Sequence, residues 1–216
     1  IYVDDCTFIG TDIGLRFKTT RGRGGLVENI FINNITMKNI PGEAILFDMY
    51  YAAQDPIALA GENRTAPKVV TVPVTEETPQ FQNFYINNVV CNGARKALFI
   101  RGLPEMSIKN IVLKNMVQQA DEGVDIAQAE NITLQNVRLV TKMDDDSVLN
   151  IRDSKGIILK NIAYGSLSAA DTSWAARMTQ TVMSEMWKDK EGIPGRPAKW
   201  TYDQGVVLKG VEGLWL

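Results

Sequence analysis

A phrase that recurs along most of the chain constrains its fold more than any other feature. Residues 29–35 read NIFINNI, and residues 83–89 read NFYINNV. Looser copies occupy residues 107–111, 131–137 and 156–162, and residues 1–6 fit the same frame. Self-similarity at a period of about 20–50 residues is typical of a repeat architecture.

Each copy places a polar residue, in most cases asparagine, at one fixed point after a short strand. Aligning the copies on that residue predicts a single column whose members are Asp5, Asn34, Asn88, Asn110, Asn136 and Asn161. Stacked side-chain amides can hydrogen-bond from one repeat to the next, as they do in other stacked β-structures. We therefore expect these side chains to form a ladder.

The stretches around the asparagines favour strands over helices. Apolar residues alternate with polar ones, and a second β-rich stretch follows in several repeats, for example at residues 44–47, 97–100 and 147–151. Strands this short must stack on the neighbouring repeats to bury their inner faces. The pattern predicts an all-β parallel β-helix. A leucine-rich solenoid would need a denser leucine pattern, and a helical solenoid would need a 3.6-residue period.

Changes of pattern along the chain indicate its organisation. Coils of the β-helix are expected over residues 1–165, with a proline-rich loop at residues 49–80 inserted between two of them. A small, polar linker is expected at 166–173. Residues 174–216 begin with apolar residues at helical spacing (Trp174, Met178, Val182, Met186), which predicts a short α-helical C-terminal segment. Both ends look like cuts through a longer protein.

Composition excludes several functional classes. The charge is nearly balanced, with 23 basic and 25 acidic residues, so no nucleic-acid partner is indicated. No apolar run is long enough for a membrane span. The absence of histidine excludes a histidine-dependent triad or zinc site within the segment, and neither a metal nor another cofactor is expected. Cys6 and Cys91 are expected to be small buried side chains.

The strongest local signal is a basic, glycine-rich turn. Arg16 and Lys18 are two residues apart on a predicted strand, so both should project from the same face, and Arg21 and Arg23 follow in the turn. Four cations within eight residues favour an anionic ligand, because arginine can bind a carboxylate with two hydrogen bonds and lysine adds a point charge. A solvated basic loop is the alternative.

The residues Gly14-Leu15-Arg16-Phe17-Lys18-Thr19 resemble the G-x-R-I-K-[ST] signature of glycoside hydrolase family 28, the polygalacturonases. The continuation through residues 20–30 is similar to the bacterial, pectin-degrading branch. The resemblance implies a right-handed parallel β-helix. It also implies that Arg16 and Lys18 bind a galacturonate carboxylate beside the cleaved bond, and that a tyrosine contacts sugar, with Tyr51 the better match and Tyr50 the alternative.

The catalytic groups that the family uses are not expected within this segment. Its aspartates lie in motifs upstream of the Arg-x-Lys signature, and one of those motifs contains histidine, which this chain lacks. Asp4 and Asp5 lie too close to Arg16 to match the family's aspartate pair, and Asp5 occupies the ladder position. Asp144–Asp146 read as a turn. The resemblance therefore implies the substrate-binding portion of an inverting hydrolase, which needs two carboxyl groups that this segment does not supply.

The C-terminal tail carries a second resemblance. Residues 174–178 (WAARM) and 199–210 (KWTYDQGVVLKG) look like the opening helices of the unsaturated uronyl hydrolases of families 88 and 105, which are (α/α)6 barrels. This resemblance implies that residues 174–216 begin a second domain acting on uronides released from pectin.

Together these features predict a role in pectin degradation, with oligo- or polygalacturonate and the rest of a longer chain as partners. The family resemblance implies a secreted or periplasmic location. Two alternatives remain: a non-catalytic β-helix that binds carbohydrate or acts as an adhesin, and a related rhamnogalacturonan or xylogalacturonan hydrolase.

Overall fold

The computed structural model describes residues 1–50 and 70–166. Within them the chain forms eight strands and one 3₁₀ turn at Asp145–Ser147. The strands are β1 Tyr2–Ile9, β2 Leu15–Lys18, β3 Leu26–Asp48, β4 Gln80–Arg101, β5 Ile108–Ala127, β6 Ala129–Thr141, β7 Leu149–Arg152 and β8 Ile158–Ser166.

All pairings between these strands are parallel. The order is β1-β3-β4-β5-β6-β8, with β2 paired to β3 and β7 paired to β5. Each coil therefore lies on the coil that precedes it, about 4.8 Å away as in any sheet. This arrangement is a parallel β-helix, and the fold predicted from the repeat is confirmed.

The long strands bend at corners where asparagine adopts a left-handed backbone. Two sets of corner residues stack in register along the helix. One set is Asp5, Asn34, Asn88, Asn115, Asn136 and Asn161, and the other is Asn29, Asn83, Asn110 and Asn131; φ lies between 51° and 60° at every member. Asparagine tolerates this conformation better than most residues, which explains why the repeat keeps it there.

Amide hydrogen bonds join several neighbouring corner residues into ladders, whereas Asn115 donates to Asn87 Oδ1 instead of to its corner neighbour Asn88. In the second set, Asn110 Nδ2 donates to Asn83 Oδ1 at 2.9 Å, and Asn131 Nδ2 donates to Asn110 Oδ1 at 3.2 Å. In the first set, Asn136 Nδ2 donates to Asn115 Oδ1 at 2.9 Å and Asn161 Nδ2 donates to Asn136 Oδ1 at 3.0 Å. The expected stacking of side-chain amides is present.

The sequence placed one residue in the wrong ladder. Asn110 was expected beside Asn88, but it is the neighbour of Asn83, and Asn115 occupies the position next to Asn88. The two corners are five residues apart, and both need a left-handed residue followed by an apolar one. The repeated phrase alone therefore could not distinguish them, and the prediction of a single column was wrong.

Apolar side chains that alternate along the strands fill the interior. Isoleucine, leucine and valine dominate, and they form one continuous core that also contains phenylalanines. Phe17 stacks on the buried Phe47, with ring centroids 4.4 Å apart, and Phe84 meets both rings edge-on. Cys91 is buried and Cys6 is half-buried, and both are free thiols.

The predicted insertion separates two coils that remain neighbours. Strand β3 pairs with β4 from Leu26↔Gln80 to Asp48↔Arg101, so the coils before and after residues 49–79 are direct neighbours in the stack. A short turn precedes β4, where Thr78 N donates to Thr75 O at 3.0 Å.

The predicted C-terminal helices lie outside the described residues, as does most of the linker. The chain divides into two units after Leu167, and the whole of the second, Ser168–Leu216, belongs to the undescribed part. The domain boundaries therefore remain a prediction. Among the residues that are described, no helix has the length and apolar character needed to cross a membrane.

Candidate functional site

Arg16 and Lys18 lie on the same face of β2, where Lys18 is exposed and Arg16 is half-buried. Strand β2 pairs with β3 so that Arg16 lies beside Leu46 and Lys18 beside Asp48. The alternate residues point inward, because Leu15 is buried and Phe17 stacks on the core residue Phe47. Successive side chains of a strand point to opposite faces, so the two cations share the outer face, as the sequence predicted.

The glycine-rich turn after β2 is fixed against the turn that precedes β4. The backbone N–H groups of Gly22 and Gly24 both donate to the carbonyl oxygen of Glu77, at 3.1 and 2.9 Å. A Cβ atom on Gly24 would lie 2.4 Å from the carbonyl oxygen of Glu76, and φ at this residue is +57°. Gly24 is therefore needed for both its conformation and its close backbone contact.

Arg21 forms an ion pair with Glu105, which lies 84 positions further along the chain. Its Nε and Nη2 atoms donate to the two carboxylate oxygens at 2.6 and 2.9 Å, and Nη2 also donates to the carbonyl oxygen of Val70 at 2.8 Å. The Glu105 side chain is only 3% exposed. The hydrogen bonds of this pair raise the pKa of Arg21 and lower the pKa of Glu105. The pair joins the basic turn to the loop between β4 and β5.

Tyr50 lies between two guanidinium groups. The Cζ atoms of Arg21 and Arg101 are 5.4 and 5.1 Å from the centroid of its ring. Its backbone N–H donates to Asp48 Oδ1 at 3.0 Å. Such contacts between a cation and an aromatic face hold the ring in one orientation.

Asp48 and Arg101 form the ion pair that supports this corner. Arg101 donates to both carboxylate oxygens of Asp48, from Nε at 3.0 Å and from Nη2 at 2.8 Å. The two residues are partners in the β3–β4 register, and Lys18 is the partner of Asp48 on its other side. A bidentate pair of this kind has a defined geometry, so the outer surface beside Lys18 is preorganised.

The structure distributes the six predicted site residues among different environments. Arg16 and Lys18 share one outer face, and Tyr50 follows the register partner of Lys18 by two residues. Arg21 forms an ion pair with Glu105, a partner that the sequence did not predict. Arg23 lies on the exposed part of the turn. Tyr51, the tyrosine favoured by the resemblance, lies outside the described residues.

Sequence reasoning missed three charged residues that form the ion pairs of the site. Asp48, Arg101 and Glu105 were not singled out, although Asp48 and Arg101 end the two strands that continue the column of Lys18. Aligning the second β-rich stretch of each repeat would have placed them there. The Arg21–Glu105 pair had no such signal, because it joins two loops of unrelated sequence.

The aspartates considered as catalytic candidates lie at structural positions in the described part of the chain. Asp5 occupies an asparagine corner, and Asp4 accepts a hydrogen bond from Asn33 at 3.2 Å. The carbonyl oxygen of Asp144 accepts hydrogen bonds from the backbone and the hydroxyl of Ser147 where the 3₁₀ turn begins. Within residues 1–50 and 70–166, no group of three or more acidic or sulfur-bearing side chains is placed to hold a metal ion.

Comparison with known proteins places the clearest similarity in the coils that carry the two cations. The model of glycosyl hydrolases family 28 matches residues 1–87. The protein named polygalacturonase QRT2, from Arabidopsis thaliana, is 28% identical over 140 residues, which cover 62% of this chain and 28% of that relative. No solved structure matches. The chain thus spans less than a third of this curated relative, and its first 87 residues are similar to family 28 glycosyl hydrolases.

Proposed function

We propose that residues 1–166 are the substrate-binding coils of a polygalacturonase-like glycoside hydrolase that degrades pectin. The observation that carries this proposal is the placement of Arg16 and Lys18 side by side on the outer face of β2. The match of residues 1–87 to family 28 and the distant similarity to a polygalacturonase support it.

In this proposal Arg16 and Lys18 bind the carboxylate of a galacturonate unit. The guanidinium supplies two parallel donors, and the ammonium supplies a compact charge on the same side of the sugar. Tyr50 is held beside them between Arg21 and Arg101, and we assign the sugar contact to the part of its half-buried ring that stays accessible. Tyr51 remains the alternative tyrosine for this contact.

We assign Arg21 to the structure of the site rather than to the ligand. Its guanidinium already donates to both oxygens of the nearly inaccessible Glu105 carboxylate. Removing a charge from such a pair would leave the other charge uncompensated. Arg23 remains a candidate for an outer contact with the ligand, because it lies on the exposed part of the same turn.

The proposal includes no catalysis by this segment. Inverting hydrolysis needs an acid and a base carboxyl group on opposite sides of the glycosidic bond. Incubating the chain with polygalacturonate should release no new reducing ends. Measurable turnover would show that the acid and base lie within these 216 residues.

The binding role is tested by calorimetry with defined oligogalacturonates. Arg16→Ala and Lys18→Ala should each weaken binding at least tenfold, because each removes a charge-assisted contact. Lys160→Ala removes an exposed lysine on β8 and is the matched control, which should bind as the original chain does. Methyl esterification of the ligand should also abolish binding, since it removes the carboxylate charge.

Other outcomes of the same titrations would favour the alternatives. Equal binding of esterified and free oligomers would contradict the carboxylate role of Arg16 and Lys18. Preference for rhamnogalacturonan or xylogalacturonan fragments would keep the site but change the substrate. Binding without hydrolysis by a longer parent chain would favour a non-catalytic carbohydrate-binding or adhesin module.

We extend the proposal to the tail and to the location of the protein. The resemblance of residues 174–178 and 199–210 to unsaturated uronyl hydrolases supports a second domain that begins at residue 174. A polymeric cell-wall substrate supports a secreted or periplasmic location. Expression of the complete gene product, followed by assay with unsaturated digalacturonate and by fractionation of the cell, tests both statements.

A further inference from the structure

The guanidinium of Arg101 is used within the protein rather than left for a ligand. Its Nε and Nη2 atoms donate to the two carboxylate oxygens of Asp48 at 3.0 and 2.8 Å. The side chains of Arg101 and Asp48 are only 17% and 9% exposed. Because a bidentate pair of this kind has a defined geometry, Arg101 is fixed before any ligand arrives.

The same pair holds Tyr50 at two points. Asp48 Oδ1 accepts a hydrogen bond from the backbone N–H of Tyr50 at 3.0 Å, which fixes the main chain of this residue. Arg101 Cζ lies 5.1 Å from the centroid of the Tyr50 ring, a contact that orients the side chain. Tyr50 lies beyond the last residue of β3, so the pair fixes a residue that the strand itself does not include.

Arginine is the residue type that this arrangement requires. A planar guanidinium can bind a carboxylate with two parallel donors while an aromatic ring lies against its face. Arg101 also lies near a second ring, since its Cζ atom is 5.3 Å from the centroid of Phe99. Lysine at this position would keep the positive charge, but it would lose the paired donors and the flat surface.

We propose that Arg101 and Asp48 are positioning residues of the galacturonate site, which strengthen binding through Tyr50 without contacting the ligand. This inference rests on the proposed function, because it takes Tyr50 as the residue that contacts the sugar beside Arg16 and Lys18. Immobilising a side chain during binding costs free energy. A Tyr50 ring that Arg101 already holds avoids this cost, so the ligand binds more tightly.

A double-mutant cycle tests this coupling, using the full chain and calorimetry with trigalacturonate. Arg101→Lys should weaken binding about three- to tenfold, because Tyr50 loses its fixed orientation. Tyr50→Leu should weaken binding by at least as much. Adding Arg101→Lys to Tyr50→Leu should cause no further loss, since two residues that act through one contact are not additive.

Arg152→Lys is the matched control for the loss of a guanidinium. Arg152 follows Ala127 in the same column as Arg101, and its Nη1 atom donates to Asp125 Oδ1 at 2.7 Å. Among the described residues, no aromatic ring lies over the Arg152 guanidinium. This variant should bind trigalacturonate as the original chain does.

Urea unfolding of the same variants separates a positioning role from a merely structural one. Arg101→Lys should lower stability with or without Tyr50→Leu, because the contact with Asp48 weakens in both chains. Its effect on affinity should appear only where Tyr50 is present. If Arg101→Lys unfolds under the conditions of the assay, Asp48→Asn replaces it in the cycle, since this variant keeps an acceptor for the Tyr50 N–H but loses the charge that binds Arg101.

Every other outcome counts against the inference. Losses that add in the double variant would show that Arg101 acts independently of Tyr50, and an equal loss in Arg152→Lys would show a general effect of the outer ion pairs. Unchanged affinity in either single variant would overturn the inference, while losses in Arg16→Ala and Lys18→Ala would leave the proposed function standing. Failure of the original chain to bind trigalacturonate would overturn both.

Discussion

The corner asparagines offer a direct test of what holds the coils in register. Asn110 is the most informative position, because its side chain donates to Asn83 and accepts from Asn131. Its backbone has φ of 55°, a conformation that most residues avoid. Alanine at this position would lose both hydrogen bonds and would also meet the left-handed strain.

The expected cost can be worked out from these two contributions. The left-handed conformation costs about 1–2 kcal/mol for alanine, whereas asparagine tolerates it because its short polar side chain can hydrogen-bond locally. Two amide hydrogen bonds at an exposed ladder contribute about 0.5 kcal/mol each, the low end of the usual range. Asn110→Ala should therefore lower the free energy of unfolding by about 2–3 kcal/mol.

Glycine at the same position separates the two contributions. Asn110→Gly also loses the hydrogen bonds, and it adds about 0.5–1 kcal/mol of chain entropy, but it carries no left-handed strain. It should be less destabilising than Asn110→Ala by about 1 kcal/mol or slightly less. The neighbouring Lys109→Ala, at a residue without a left-handed backbone, is the control and should change the stability little.

Urea unfolding followed by circular dichroism measures all three variants. A shift of the midpoint without a change of slope reports stability itself. Equal stability of the alanine and glycine variants would refute the strain contribution. A loss in Asn110→Ala no larger than that in Lys109→Ala would refute the ladder as a source of stability.

Three further predictions concern other parts of the fold. The side-chain amide of Gln118 is buried without a hydrogen bond in the described part of the chain. Gln118→Met should therefore raise the free energy of unfolding, measured by urea titration, by about 1–2 kcal/mol. A decrease in this free energy would show that internal water satisfies the amide. The hydrogen bonds from Arg21 lower the pKa of Glu105, so the pair stabilises the fold above the ordinary glutamate pKa, and this stabilisation disappears as the pH falls through the lowered pKa. Glu105→Gln should therefore lower the free energy of unfolding by about 1–2 kcal/mol at pH 7 and by progressively less in acid. A loss of stability that does not depend on pH would contradict this. Burial raises the pKa of Cys91 to about 12. A thiol reagent at pH 8 should therefore modify Cys6 alone in the native chain and both cysteines in denaturant. Modification of both thiols in the native chain would contradict the burial of Cys91.

The repeat predicted the fold because one requirement recurs in every coil. Alternating apolar residues specify strands with one buried face, and an asparagine at φ near 55° specifies a corner. These are local requirements, so they are visible in sequence. The assignment of Asn110 failed because two corners impose the same requirement five residues apart, and only strand register distinguishes them.

The candidate site was predictable only in part for a related reason. Arg16 and Lys18 share a face because they are two residues apart on one strand, which sequence spacing shows directly. Asp48 and Arg101 join them from other coils, and their positions depend on how residues 26–48 and 80–101 align. The Arg21–Glu105 pair depends on two loops meeting, for which the repeat carries no information.

The direct pairing of β3 with β4 across residues 49–79 has a consequence for how such a protein can change. Backbone hydrogen bonds between β3 and β4 set the alignment of the coils on both sides of residues 49–79, so the number of residues in this segment does not enter into it. The segment can therefore be lengthened, shortened or exchanged while the register of the paired strands stays the same.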